Sequence, residues 1–282
     1  MKIAIVGSNS FLAQALLVEL SSRYDDVIQV YHQRSYRLSN KFRQIRINEF
    51  LEQKPVVDCI FYITSHISFK ESLEEINEIY KVNVYLLKTI SKIFQNAKII
   101  HASSVALYEN SGKIITEESA VNPKNSYGIS KLWAELIVKN HKGGGINVRI
   151  SSLFGERMNR GTFLPEIIIS AISKKEICLY GDGSRMQNYV YVKDVAEILE
   201  KAMQKKTNIP LLAVGNRSYS NYEVATMIKD FLPDVSIVYK KEDASRSFFY
   251  DNSSTNKILG INRTNIFKEQ LRQTALWIQK QY

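Results

Sequence analysis

Apolar runs recur at 2–6, 27–31, 57–64, 97–102 and 146–150, and the stretches between them carry apolar residues at helical spacing. Short buried strands alternating with helices predict an α/β fold: a doubly wound parallel sheet covered by helices on both faces. Helices are expected over 126–140, from Phe163 to Ser173, from Val195 to Met203 and around Phe267–Lys280. Strands are expected over Ile177–Tyr180, ended by Gly181-Asp-Gly183, and over 188–192. Past Gly155 the alternation loosens. The pattern therefore divides into a large domain, 1–155 plus 188–215, and a smaller α/β lobe, 156–187 plus 216–282.

The first unit is the most explicit. Lys2-Ile-Ala-Ile-Val-Gly7 reads as a buried strand that turns sharply at glycine, and a helical pattern begins at Phe11. Strand, tight turn and helix in that order leave free amides at a helix N-terminus, where a pyrophosphate binds. Gly7, Ser10, Phe11 and Leu12 are the candidates for that contact. Of the three glycines usual in such a turn, only Gly7 is kept, with Ser10 and Ala13 in the other places. Both replacements are small enough for close approach.

Ligands on such sheets sit beyond the carboxyl ends of the strands. Gly7 falls there after the first strand, Thr64 and Ser65 after the third, and Ser104 after the fourth. On the 126–140 helix, Tyr127 and Lys131 are four residues apart and share a face. An ammonium beside a phenol favours the phenolate, which predicts a Tyr127 pKa below the usual value of about 10. With Ser104 aimed at the same point, the trio suits moving a proton on or off an alcohol while a hydride leaves or arrives.

Composition narrows the classes. A chain of 282 residues with 45% apolar content can bury one large core, or a major domain and a smaller one. No apolar stretch reaches the roughly 18 residues a spanning helix needs, so no membrane span is expected. The first strand starts at Ile3, so no secretory leader is expected. Cys59 and Cys178 sit in strand-like runs and read as reduced core residues, which fits the cytoplasm. The four histidines lack metal-ligand spacing, so no metal is expected. The net charge of +10 is scattered and comes with no recognition motif, so nucleic acid is not an expected partner. The same charge favours an anionic substrate such as a nucleotide diphosphate.

These residues together resemble the extended short-chain dehydrogenase/reductase family, specifically its NAD-dependent epimerase/dehydratase group acting on nucleotide sugars. The resemblance runs nearly end to end. It is carried by Asp58–Ser65, by Asn83, by the serine strand Ser103–Tyr108 and by Pro123–Lys131 with Glu135. Arg149–Gly155, Tyr180–Gly183, Tyr189–Asp194, Val214–Asn216 and Asn256–Gly260 complete it. It implies a Rossmann-type domain with a C-terminal substrate lobe, a homodimer and a nucleotide-sugar substrate. It also implies Tyr127 as acid/base, Lys131 as the group that lowers its pKa and holds the nicotinamide ribose, and Ser104 as the residue orienting the substrate oxygen. Asn48, Asn83 and Ser151 are implied on the cofactor side, and Ser152, Arg185, Asn188 and Arg246 on the substrate side. Ser152 stands where the family normally has asparagine.

Two departures bear on the reaction. Val105 and Ala106 occupy the places where sugar 4,6-dehydratases carry an Asp-Glu pair, which argues against dehydration. The second strand ends Val30-Tyr-His-Gln-Arg34 with no acid for the adenosine ribose, and Arg34 can pair with a 2′-phosphate, so NADP(H) is favoured over NAD(H). The expected activity is reduction of the 4-keto group of an NDP-6-deoxy-hexulose. A nucleotide-sugar C4 epimerase with held NAD is the alternative, and a non-catalytic sensor or scaffold is the alternative of another class.

Overall fold

The computed structural model describes residues 1–32, 41–108 and 113–281. The first half runs β1 (Ile3–Val6), α1 (Phe11–Ser21), β2 (Val27–Tyr31), β3 (Arg43–Arg46), α2 (Ile47–Gln53), β4 (Cys59–Tyr62), α3 (Leu73–Ile79), a π-helical turn (Tyr80–Tyr85) and α4 (Leu86–Ile93). Next come β5 (Lys98–Ser104), a 3₁₀ turn (Val105–Leu107), β6 (Ile114–Ile115), α5 (Ser126–Lys139), β7 (Gly145–Ile150), β8 (Ser152–Phe154), α6 (Phe163–Lys174) and β9 (Glu176–Tyr180). The chain closes with β10 (Met186–Tyr191), α7 (Val192–Met203), β11 (Leu211–Ala213), β12 (Ser218–Ser220), α8 (Asn221–Phe231), β13 (Ser236–Lys240), β14 (Phe249–Tyr250), α9 (Ser253–Leu259) and α10 (Phe267–Gln279).

Seven parallel strands form the main sheet in the order β11-β7-β5-β4-β1-β2-β3. The chain winds outward from β1 through β3, then returns across β1 to β4 and proceeds the other way. The crevice for a ligand in a sheet of this kind lies at that reversal, above β1 and β4. Strands buried on both faces explain the continuous apolar runs of the sequence. Leu16 and Leu20 of α1 with Ile198 and Leu199 of α7 cover one face, and Phe50, Leu87, Ile90, Ala134 and Val138 cover the other.

The smaller lobe has its own core, in which Phe154, Ile168, Leu179, Tyr189, Ile228 and Leu271 pack together. Two departures from the sequence pattern stand out. The strand at 188–192, assigned with 188–215 to the large sheet, belongs as β10 to a separate three-stranded sheet between β8 and β12. Of that stretch, β11 alone joins the large sheet. Alternation explains it: Tyr189 and Tyr191 face the small lobe's core while Val190 faces the large one. β3 carries almost no apolar signal because it is an edge strand, and Ile45 is its one buried residue.

Candidate active site

The turn after β1 is built for close approach. Gly7 has φ +92°, and a Cβ there would fall 2.6 Å from the Thr64 nitrogen and 2.7 Å from its Cα. Any side chain at this point would push β1 and β4 apart at the crevice. The amides of Gly7 and Ser8 both bond the Val30 carbonyl, at 3.0 and 3.1 Å, which closes the turn. Ser10 caps α1 by accepting from the Ala13 amide at 3.3 Å. That leaves the Phe11 and Leu12 amides without an acceptor in their own helix. The segment therefore fits a dinucleotide pyrophosphate: a glycine that admits no Cβ, beside a helix terminus offering two amides. Asn48 is exposed on the first turn of α2, at the carboxyl edge of β3. Arg34 lies outside the described residues.

Ser104 ends β5, and its hydroxyl caps the following 3₁₀ turn by accepting from Ala106 at 3.1 Å. Asn125 caps α5 by accepting from the Gly128 amide at 2.8 Å, which sets Tyr127 in the first helical turn. Tyr127 is 6% exposed, and the hydroxyls of both Ser104 and Ser65 reach its phenol. Lys131, one turn later and 2% exposed, lies 5.8 Å from the Tyr127 ring centre and donates to the Ala102 carbonyl at 2.8 Å. Serine, tyrosine and lysine thus converge at the carboxyl edge.

The electrostatics correct one expectation. The Tyr127 pKa is raised, not lowered: burial disfavours the phenolate more than the Ser104 and Ser65 hydroxyls favour it. Burial acts on Lys131 as well, bringing its pKa down to about 7 against the opposing pull of Glu135. A half-discharged ammonium cannot hold a neighbouring phenol below its usual range. Desolvation wins over proximity.

Asn83 sits on the π-helical turn, a distortion often found at functional sites. Its Oδ1 accepts from the His66 amide at 2.8 Å and the Ser65 hydroxyl at 3.2 Å. Its Nδ2 donates to the His66 carbonyl and to Ser130 Oγ, both at 3.0 Å. All of its capacity is spent tying the loop after β4 to α5, so it orients Ser65 and leaves nothing for a cofactor. The same correction applies to Asn188. Its Oδ1 accepts from Ser151 Oγ and from the Gly215 amide, each at 2.8 Å, and its Nδ2 donates to the Gly215 and Arg217 carbonyls. Asn188 is a clasp between β10 and the 215–217 loop, and the Ser151 hydroxyl proton is engaged with it. Ser152 is exposed at the start of β8. Arg185 and Arg246 are brought together from distant parts of the chain, Arg185 Nε donating to the Arg246 carbonyl at 3.4 Å.

Sequence reasoning missed the charged network behind the site. Arg149 on β7 grips Glu135 with two bonds, Nε at 2.9 Å and Nη2 at 2.7 Å, both side chains being almost fully buried. Ser103 adds a third bond to Glu135 at 2.6 Å, and Arg149 Nη1 donates to the Tyr108 hydroxyl at 2.5 Å. The signal was present: Glu135 lies four residues after Lys131, and Arg149 is a charge inside a buried strand. Phe69, on the loop after β4, meets the Tyr127 ring edge-on at 5.9 Å while remaining largely exposed.

Sheet order, crossover point and glycine cradle define a Rossmann-type α/β protein with a dinucleotide crevice. Residues 3–215 match the model of the NAD dependent epimerase/dehydratase family, and the chain belongs to that family. Among curated relatives, an Arabidopsis thaliana trifunctional UDP-glucose 4,6-dehydratase/UDP-4-keto-6-deoxy-D-glucose 3,5-epimerase/UDP-4-keto-L-rhamnose-reductase is 26% identical over 239 residues, 78% of this chain. The chain spans 36% of that relative's length. A UDP-glucose 4-epimerase of Lactobacillus helveticus is 27% identical over 267 residues, 81% of each chain. The solved UDP-glucuronic acid 4-epimerase of Bacillus cereus, in complex with UDP-glucuronic acid and NAD, superposes with a TM-score of 0.87 at 17% identity, covering all of both chains. Among the described residues, no helix is long and apolar enough to cross a membrane.

Proposed function

We propose that the protein is an NAD(P)-dependent oxidoreductase of a nucleotide-activated sugar, reducing the 4-keto group of an NDP-6-deoxy-hexulose. The observation that carries this reading is the convergence of Ser104, Tyr127 and Lys131 at the carboxyl edge, beside the Gly7–Thr64 cradle. A bound nicotinamide dinucleotide supplies hydride-transfer chemistry there. Ser104 holds the substrate oxygen, and the buried Tyr127 phenol, protonated at neutral pH, gives that oxygen its proton. Its raised pKa suits donation and therefore the reducing direction. Val105 and Ala106 form the 3₁₀ turn directly after Ser104, so no carboxyl pair stands there for dehydration. Arg185 and Arg246 form the cationic end that takes the nucleotide diphosphate.

A second reading, a C4 epimerase, is supported by the likeness to the Lactobacillus helveticus enzyme over most of both chains. NADP(H) serves the reductase, consistent with the absence of an acid at Tyr31 and His32, and NAD(H) serves the epimerase. Oxidation of added NADPH by a 4-keto nucleotide sugar supports the reductase. Turnover of a 4-hydroxy nucleotide sugar with no added cofactor overturns it in favour of the epimerase. We further propose a homodimer through Tyr80, Tyr85, Ile129, Trp133 and Leu136, each 40–58% exposed on adjoining helices. Light scattering at micromolar protein tests it, and a monomer refutes it.

A further inference from the structure

Phe69 leaves 69% of its surface exposed, yet its ring is not free. It meets the Tyr127 ring edge-on, with centres 5.9 Å apart and planes at 71°. Tyr127 itself is buried, so an apolar surface open to solvent lies directly against the proposed acid/base.

The loop that carries Phe69, between β4 and α3, is fixed at both ends. At its start, Asn83 binds the His66 amide and carbonyl and the Ser65 hydroxyl, and the His66 ring meets Glu75 at 2.8 Å. At its end, Glu71 accepts from the Ser126 amide at 3.0 Å and from the Ser126 hydroxyl, which ties the loop to the residue directly before Tyr127. Ser72 then caps α3 by accepting from the Glu75 amide at 3.3 Å. Ring and phenol are therefore carried by segments bonded to each other. Holding an apolar ring toward water gains nothing for folding, because the gain comes only from area removed from water. The ring gains when an apolar group covers it. The dimer face proposed above is elsewhere: Ile129 and Trp133 stand two and six residues past Tyr127, which turns them to the opposite side of α5. What covers Phe69 is therefore what enters the crevice.

Resting on the nucleotide-sugar reading above, we propose that Phe69 is a specificity-determining residue, the apolar wall that receives the C6 methyl of a 6-deoxy sugar. Tyr127 exchanges its proton with the oxygen on C4, so a side chain packed on Tyr127 meets the substituents of the neighbouring carbons, C3 and C5. A hydroxyl on C3 loses its water against a phenyl ring. The methyl on C5 of a 6-deoxy sugar gains by leaving water. A hexose that keeps its 6-hydroxyl has to bury that group against the ring or turn it away. Apolar pockets disfavour such an added hydroxyl by up to about 10²-fold.

The test is calorimetric binding of ligands that differ only at C6, with NADP⁺ or NAD⁺ saturating: the UDP, dTDP, GDP and CDP esters of 6-deoxyglucose against those of glucose. Wild type should bind the 6-deoxy member of its preferred pair about 10- to 100-fold more tightly. Phe69→Ala should bring that pair to within about threefold by weakening the 6-deoxy ligand, and Phe69→Leu, which keeps an apolar side chain, should retain most of the preference. The nucleoside diphosphate alone, which has no C6, should bind all three proteins alike. Equal affinity of wild type for the two members, or a preference that survives Phe69→Ala, overturns the inference and leaves the nucleotide-sugar reading standing. If none of the esters binds to protein that still takes up the dinucleotide, the nucleotide-sugar reading itself falls, and the inference with it.

Discussion

Replacing Lys131 by methionine should make the folded protein more stable at pH 6 and less stable at pH 10. Burial holds the Lys131 pKa at about 7 against an ordinary 10.5, with Glu135 opposing the fall. A folded-state pKa depressed below the unfolded one means that the unfolded chain binds more protons between those two values. Stability therefore rises with pH across that window, and the penalty for burying the ammonium is fully present below about pH 7. At about 1.4 kcal/mol per pH unit, the penalty is roughly 4–5 kcal/mol at pH 6 and under about 1 kcal/mol at pH 10. Methionine removes it at a similar volume, but it also strips the Ala102 carbonyl of its donor, which costs about 1–3 kcal/mol at any pH. The net gain is about 1–4 kcal/mol at pH 6, or roughly 2–15 °C in Tm, and it reverses at pH 10. Thermal unfolding of ligand-stripped wild type and Lys131→Met across pH 6–10 measures this directly. A difference in Tm that stays constant with pH, or a variant less stable at pH 6, would refute the reasoning.

Three further outcomes follow from the geometry. Gly7→Ala should lower stability by about 2–4 kcal/mol, from its φ of +92° and the 2.6 Å clash with Thr64, and should abolish dinucleotide retention, read by thermal shift with and without added cofactor. Asn83→Leu, which severs four hydrogen bonds, should cost about 2–4 kcal/mol and release the Ser65 loop, seen as faster amide exchange over 64–72 with cofactor affinity changed far less than by Gly7→Ala. Arg185→Ala with Arg246→Ala should raise KM for a nucleotide sugar by about tenfold or more with kcat little changed, because a diphosphate contact far from the reacting carbon contributes to binding alone.

Features set by local chain chemistry could be read before any coordinates. Val6 to Gly7 to Phe11 specifies strand, turn and helix by itself, and the Tyr127–Lys131 spacing on α5 follows from helical geometry. Features set by tertiary surroundings could not. The sheet that β10 joins depends on which face Tyr189 and Tyr191 bury. The π-helical turn at Asn83 has no periodicity signature in six residues. Asn83 and Asn188 were implied as ligand contacts by the family resemblance, whereas their amides are taken up by hydrogen bonds within the protein. The sign of the Tyr127 shift was lost for the same reason: sequence shows a lysine next to a tyrosine, and only packing shows that both are buried.

The account stands or falls on whether Tyr127 exchanges a proton beside a bound nicotinamide ring. Wild type and Tyr127→Phe should bind added NADPH or NAD alike, read by thermal shift, while turnover of a nucleotide sugar drops by about 10²–10⁴-fold in the variant. No dinucleotide binding by either protein, or full activity without the phenol hydroxyl, would contradict it.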